Sequence, residues 1–297
     1  MKTDLDTLLT ALYVFVDDHV ITASRRRPGR PKKLTDAELV CLAVAQVLLG
    51  FPSQHHWLRF CYGRLGRMFP YLPKQAGYHK RVTAAAPLIT TVITRLAAQT
   101  PAGHDGIRLI DATVIPCGMS RQTAIGSALA GWAGYGYCRS HSRWIWGLKL
   151  YLVTALDGTP VTWCLATPSL GEREVAAELL EHARDHGLLP AGVVLIGDKG
   201  FAGRAFEQQT RDLKIVFIRP DRRDEARRHG NLAPVRQRIE SIFDTLKGQL
   251  SLEQHGGRTP AGVHARIAQR LAALAAVIWH NWLTDAPEKR SLTAYDH

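Results

Sequence analysis

Near residue 106 the period of the apolar residues changes, and that change limits the fold more than any other property of the chain. Before it, apolar residues recur at helical spacing. Leu5, Leu8, Leu9, Leu12 and Val16 make one face, and Leu39, Leu42, Val44, Val47 and Leu48 follow Thr35 and Glu38, a capping box. A third helical stretch holds Trp57, Leu58, Phe60 and Leu65, and a further one runs from Pro87 to Ala98. After Pro101–Gly106, which reads as a linker, short apolar runs take over: Ile107–Ile115, Leu148–Thr154, Val161–Ala166, Val193–Ile196 and Ile215–Ile218. Each is bounded by Gly, Pro or Asp, so each reads as a strand. Helical patterns at Glu172–His186, Arg204–Arg211, Pro234–Leu250 and Pro260–Leu283 follow or separate them. The expectation is an α/β fold with one mixed sheet flanked by helices, preceded by a small all-α domain. The boundary falls between residues 103 and 104, giving 1–103 and 104–297.

With 38 Lys+Arg against 26 Asp+Glu, the chain carries a formal charge of +12. Residues 1–105 hold more than half of that excess. Such a charge favours an acidic partner, and nucleic acid is the commonest. Five scattered cysteines without a C-x-x-C pair suit reduced thiols and speak against a disulfide framework. The opening residues lack the layout of a signal peptide, and the longest apolar stretches are too short to span a bilayer. These features point to a cytoplasmic protein without a membrane partner.

Two acids terminate or interrupt apolar runs: Asp111 in Leu109-Ile110-Asp111-Ala112-Thr113 and Asp198 in Ile196-Gly197-Asp198-Lys199-Gly200. Desolvating a carboxylate is costly unless a metal or a hydrogen-bond network compensates, and the ends of α/β strands are where sites lie. The bland alternative is that each acid caps a turn. A third set lies on the helix from Pro234. There Arg236, Glu240, Asp244 and Lys247 line one face beside the buried stripe of Ile239, Phe243, Leu246 and Leu250. Alone, that face also reads as solvated ion pairs.

Taken in order, Asp111 in I-D-A-T, Asp198 in I-G-D-K-G-F and Arg236-x3-Glu240-x6-Lys247 resemble the catalytic domain of bacterial insertion-sequence DDE transposases. Gly131–Tyr137, Trp146–Leu150 and Ile278–Asn281 extend the resemblance over nearly the whole chain. Related families often carry a Tyr three residues before the Arg; here that position is Ala233. The resemblance implies an RNase H-like sheet that gathers Asp111, Asp198 and Glu240 as catalytic, metal-holding carboxylates. It implies Mg2+, with Mn2+ able to substitute, because hard divalent ions prefer carboxylate oxygens. Arg236, Lys247 and, less directly, Lys199 would hold backbone phosphate. The implied reaction is hydrolysis at element ends followed by strand transfer into target DNA. The implied partners are double-stranded DNA and further copies of the chain, as a homodimer or higher multimer on bacterial nucleoid DNA. Two alternatives stand beside this: a nuclease of the same fold without strand transfer, and a catalytically inactive DNA-binding protein.

Arg25-Arg26-Arg27-Pro28-Gly29-Arg30-Pro31-Lys32-Lys33 places six positive charges in nine residues. Its Pro and Gly residues keep it extended. Arg25, Arg26, Arg27, Arg30, Lys32 and Lys33 are DNA-contact candidates, either as a minor-groove reader like an AT-hook or as a basic linker meeting phosphates without sequence preference. The helix from Thr35 and its successor also suit a helix-turn-helix or plain three-helix packing. Gly131, Gly134 and Gly136 do not match a dinucleotide fingerprint and read as an aromatic loop. In it, Trp132, Tyr135 and Tyr137 suit either base stacking or half-buried packing. Cys117, Cys138 and His141 lack zinc-ligand spacing.

Overall fold

The computed structural model describes residues 4–21, 32–118, 120–138, 143–222, 225–226, 228 and onward to 295. Arg25, Arg26, Arg27 and Arg30 lie outside the described residues. Packing divides the chain into two compact units, one comprising residues 1–96, 246–257 and 261–297, the other 97–245 and 258–260.

The first unit is helical: α1 (Asp4–His19), α2 (Asp36–Leu48), α3 (Gln54–Arg64), α4 (Gln75–Ala84) and nearly all of α5 (Ala86–Ala97). Thr35 and Glu38 form the expected capping box, with Glu38 N–H donating to Thr35 Oγ1 at 3.1 Å and Thr35 N–H donating back to Glu38. α2 is buried almost all round. So is a long closing helix, Pro260–Leu283, whose residues from Val263 to Asn281 are nearly all buried. A helix apolar on every side belongs in a core. Phe15 of α1 meets Trp279 of the closing helix at 5.2 Å between ring centres.

The second unit is built on one six-stranded mixed sheet. It opens with α6 (Pro101–His104), so the expected linker is a short helix instead. Thr100 caps it, and the buried Arg108 guanidinium ties it down by donating to the carbonyls of Ala102, Gly103 and Asp105. Then come β1 (Ile107–Gly118), α7 (Arg121–Gly126), β2 (Gly134–Cys138), β3 (Arg143–Thr154), β4 (Pro160–Ala166), α8 (Glu172–Asp185), β5 (Val194–Ile196), α9 (Arg204–Asp212), β6 (Val216–Ile218) and α10 (Ala233–Asp244). β1 pairs antiparallel with β3, which pairs antiparallel with β2 along its first half and with β4 along its second. On the other side β1 pairs parallel with β5, and β5 with β6. This is the expected mixed sheet, flanked by helices and preceded by a helical region. Ile110, Tyr151, Val153, Val161, Leu195, Leu180 and Phe206 join strands to α8 and α9 in one core, while α10 packs on β1.

The structure departs from the apolar pattern in three places. The aromatic loop is a strand, β2. β1 and β3 each run 12 residues, longer than their apolar runs, because they pair along almost their whole length. Asp111 sits in the interior of β1, as it does in the expected run Ile107–Ile115. The helix expected over Pro234–Leu250 is α-helical only to Asp244; a π-helical turn, Thr245–Gln249, succeeds it. The closing helix, α11 (Pro260–Leu283), has the expected bounds.

Candidate active site

Parallel pairing of β1 with β5 places Leu109 opposite Ile196. That register brings Asp111, two residues along β1, level with Asp198, two residues beyond β5. Gly197 allows the tight approach: a Cβ there would lie 3.0–3.2 Å from Phe217, Ile110 and Phe201. A side chain there would have to displace those three side chains by a few tenths of an ångström. Asp198 then caps a single 3-10 turn, Lys199–Phe201, and accepts from Lys199 N–H at 2.6 Å.

Asp111 is largely buried and accepts from Ala112 N–H at 2.8 Å. Burial pushes its carboxyl up to about 6, and the like charges of Asp198 and Glu172 add to the rise, against the Ala112 N–H and the positive Arg236. Arg236, from the first turn of α10, lies 3.2 Å from Asp198 and 3.5 Å from Glu240 one turn further on. One guanidinium thus bridges the second and third expected acids. Glu240 is 55% exposed, so it faces solvent as well as Arg236.

Glu172 is the acid that sequence reasoning missed. It opens α8, accepts from Lys149 Nζ at 2.7 Å, and shares Gly200 with Asp198. A Cβ on Gly200 would lie 3.5 Å from Glu172 Oε2 and 3.9 Å from Asp198 Oδ2. The only local signal is an acid in the first turn of a helix, which is common for reasons of the helix dipole.

The remaining expected residues fall elsewhere. Lys199 is exposed in the turn after Asp198. Lys247 lies in the π-helical turn, belongs to the first unit, and pairs with Glu253 at 3.5 Å. Lys32 pairs with Asp36 at 2.6 Å, and Lys33 sits 5.3 Å over the Tyr71 ring.

Among the described residues, no three His, Cys, Asp or Glu side chains form a group able to hold a metal ion. The pair of Asp111 and Asp198 nevertheless has the donor chemistry a hard cation takes. Two carboxylates repel each other at the sheet, and one is buried enough to resist ionisation without a counter-charge.

A sheet of this order, with one aspartate on its first strand and a second just past the parallel neighbour, defines the RNase H-like fold class. Within that class the chain belongs to the transposase DDE-domain family, whose family model matches residues 102–276, more than half its length. No curated protein and no solved structure matches it. Membership makes it a transposase-type enzyme that acts on DNA, of a family that works with divalent metal ions. Among the described residues no helix is long and apolar enough to cross a membrane.

Proposed function

We propose that this protein is a DNA transposase that hydrolyses the phosphodiester at insertion-sequence ends and transfers the freed 3′-OH into target DNA. The observation that carries the reading is the side-by-side placement of Asp111 and Asp198, with Arg236 linking Asp198 to Glu240. Asp111, Asp198 and Glu240 are the residues that would hold Mg2+, with Mn2+ able to substitute. When bound, such ions supply charge relief on the attacking and leaving oxygens and lower the pKa of attacking water. Asp111 is shielded on the sheet, which strengthens its interaction with any cation it meets. Arg236 presents a guanidinium at the rim of the carboxylates, where it can turn to a backbone phosphate. Lys199, exposed beside Asp198, is a further phosphate contact at the carboxylates in this reading, and Lys247 is a DNA contact on the helical unit.

DNA binding is assigned to residues 1–103, with the basic strip 25–33 gripping the element ends, and chemistry to 104–297. The protein acts as a homodimer or higher multimer on nucleoid DNA in the cytoplasm. The deciding experiment is strand transfer of pre-cleaved end DNA with Mg2+. Joined product supports the reading. Hydrolysis without joining reduces it to a nuclease of the same fold, and binding without either reaction makes it a DNA-binding protein.

A further inference from the structure

β1 and β3 run on past the carboxylates, and with β2 they form a three-stranded arm. Its sequence alternates glycine and aromatic residues for a physical reason. On β2, a Cβ at Gly134 would lie 2.5 Å from Thr167 Oγ1, and one at Gly136 would lie 2.5 Å from Pro168 Cβ. The glycine face is therefore pressed against the segment after β4. The other face carries Tyr135 and Tyr137, which pair across the hairpin with Trp146 and Trp144 respectively. Trp146 is buried, but Tyr135, Tyr137 and Trp144 are 53, 50 and 69% exposed. Half-buried packing does not describe them. Tyr137 and Trp144 meet edge to face at 5.8 Å. A cleft of about 220 Å³ opens between Tyr135, Trp144, Trp146, Pro116 and Gly118.

Three aromatic side chains held open to water offer ring faces to an occupant, and two facts on this arm select one. Residues 112–156 contain no Asp or Glu, and three Lys or Arg besides the Lys149 that pairs with Glu172, so the arm suits a polyanion. The register also ties the platform to the carboxylates. Leu152 lies opposite Asp111, and Trp146 and Trp144 precede it by even numbers of residues. Side chains alternate along a strand, so all of them leave the sheet on the face that bears Asp111. Six residues of strand separate the levels of Asp111 and Trp146, about 20 Å.

We infer that the exposed aromatic face of the arm, Tyr135, Tyr137 and Trp144, stacks on unpaired bases of the DNA strand led away from the carboxylates. This deepens the proposed function and rests on it for the identity of the strand. Ring faces accept any base, so the platform grips a strand without reading its sequence. An aromatic surface of this kind also suits a protein partner, and the test separates the two.

The full-length protein is titrated with a short single-stranded oligothymidylate and with a blunt duplex of the same length. A second single strand carries 2-aminopurine, whose fluorescence is quenched on stacking. Trp144→Ala should weaken single-strand binding by about 5- to 150-fold, the loss of one stacked base. It should abolish much of the quench and leave duplex binding within a few-fold of the parent. Trp144→Phe should restore most of both. Equal single-strand affinity and quench in Trp144→Ala would overturn the inference. So would a parent that self-associates through this face, shown by loss of the oligomer in Trp144→Ala with single-strand binding unchanged. The proposed reaction fails separately: a parent that stacks single strands yet never cuts or joins DNA refutes the transposase reading alone. A parent that cuts and joins but shows no aromatic dependence refutes the platform alone.

Discussion

Asp111 combines burial with two like-charged neighbours, and Asp111→Asn isolates what that costs. In the folded chain its carboxyl titrates at about 6 instead of the ordinary 3.8. Below 3.8 the group is protonated both folded and unfolded, and folding is not penalised. Between 3.8 and about 6 the unfolded chain gives up this proton while the folded chain keeps it, so stability falls across that window and levels off above it. The gap of about two pKa units, at about 1.4 kcal/mol each, makes the full penalty about 3 kcal/mol at neutral pH. Asparagine is neutral, keeps the shape, and can still accept from Ala112 N–H. Without metal, Asp111→Asn should therefore melt at the parent's temperature near pH 3. Near pH 7.5 it should melt higher, by about 6–12 °C for a unit of this size. Divalent ions should raise the parent's melting temperature and leave the variant's unchanged, and the variant should neither cut nor join DNA. The assay is a set of melting curves in chelator and in Mg2+ across pH, beside a cleavage assay. A variant that melts at or below the parent near pH 7.5 in chelator would refute the electrostatic reasoning.

Glu240→Gln should lose activity by at least ~10²-fold while Asp244→Asn, exposed one turn further along α10, stays near normal, as paired cleavage assays would show. Both should melt within about 1 kcal/mol of the parent, because Glu240 is half-exposed and its contact with Arg236 is a surface pair; an inactive Asp244→Asn with an active Glu240→Gln would move the third carboxylate by one turn. Replacing Arg25, Arg26, Arg27 and Arg30 by Ala should lower the log–log salt slope of DNA binding by roughly 0.9 for each phosphate contact removed, and an unchanged slope would detach the strip from DNA. Thr35→Ala removes the capping box of α2 and should cost about 1 kcal/mol in denaturant unfolding; no loss would mean that Glu38 holds that helix end alone.

Where a local pattern fixes structure, the sequence was readable. The bounds of α11 follow from an apolar run that starts at Pro260, and Asp111 and Asp198 stand out because acids break apolar runs. The missed features depend on partners distant along the chain. β2 reads as a loop because Gly134 and Gly136 are turn formers by type. Their real role is to let the strand lie against Thr167 and Pro168, some thirty residues later. The two-residue alternation of Gly and Tyr was the available signal. Glu172 gains meaning only through Lys149 and Gly200, one before it and one after it in different elements. The bridge by Arg236 to Asp198 spans 38 positions, whereas its link to Glu240 is a simple helix spacing. The π-helical turn at Thr245 is invisible to a 3.6-residue period, which carries on past the point where the helix changes pitch.

The discontinuity of the helical unit has a consequence for how the chain is made. Synthesis delivers α1 to α5 first, then the whole of 97–245, and only afterwards the segments that complete the first unit. Until then Phe15 has no Trp279 to pack against, while the sheet already holds every strand it needs. On the ribosome the later-made sheet can therefore finish its core before the earlier-made helices finish theirs, the reverse of the usual N-terminal-first order. A nascent chain released early, without residues 261–297, would carry a complete sheet and its carboxylates together with an unfinished helical unit.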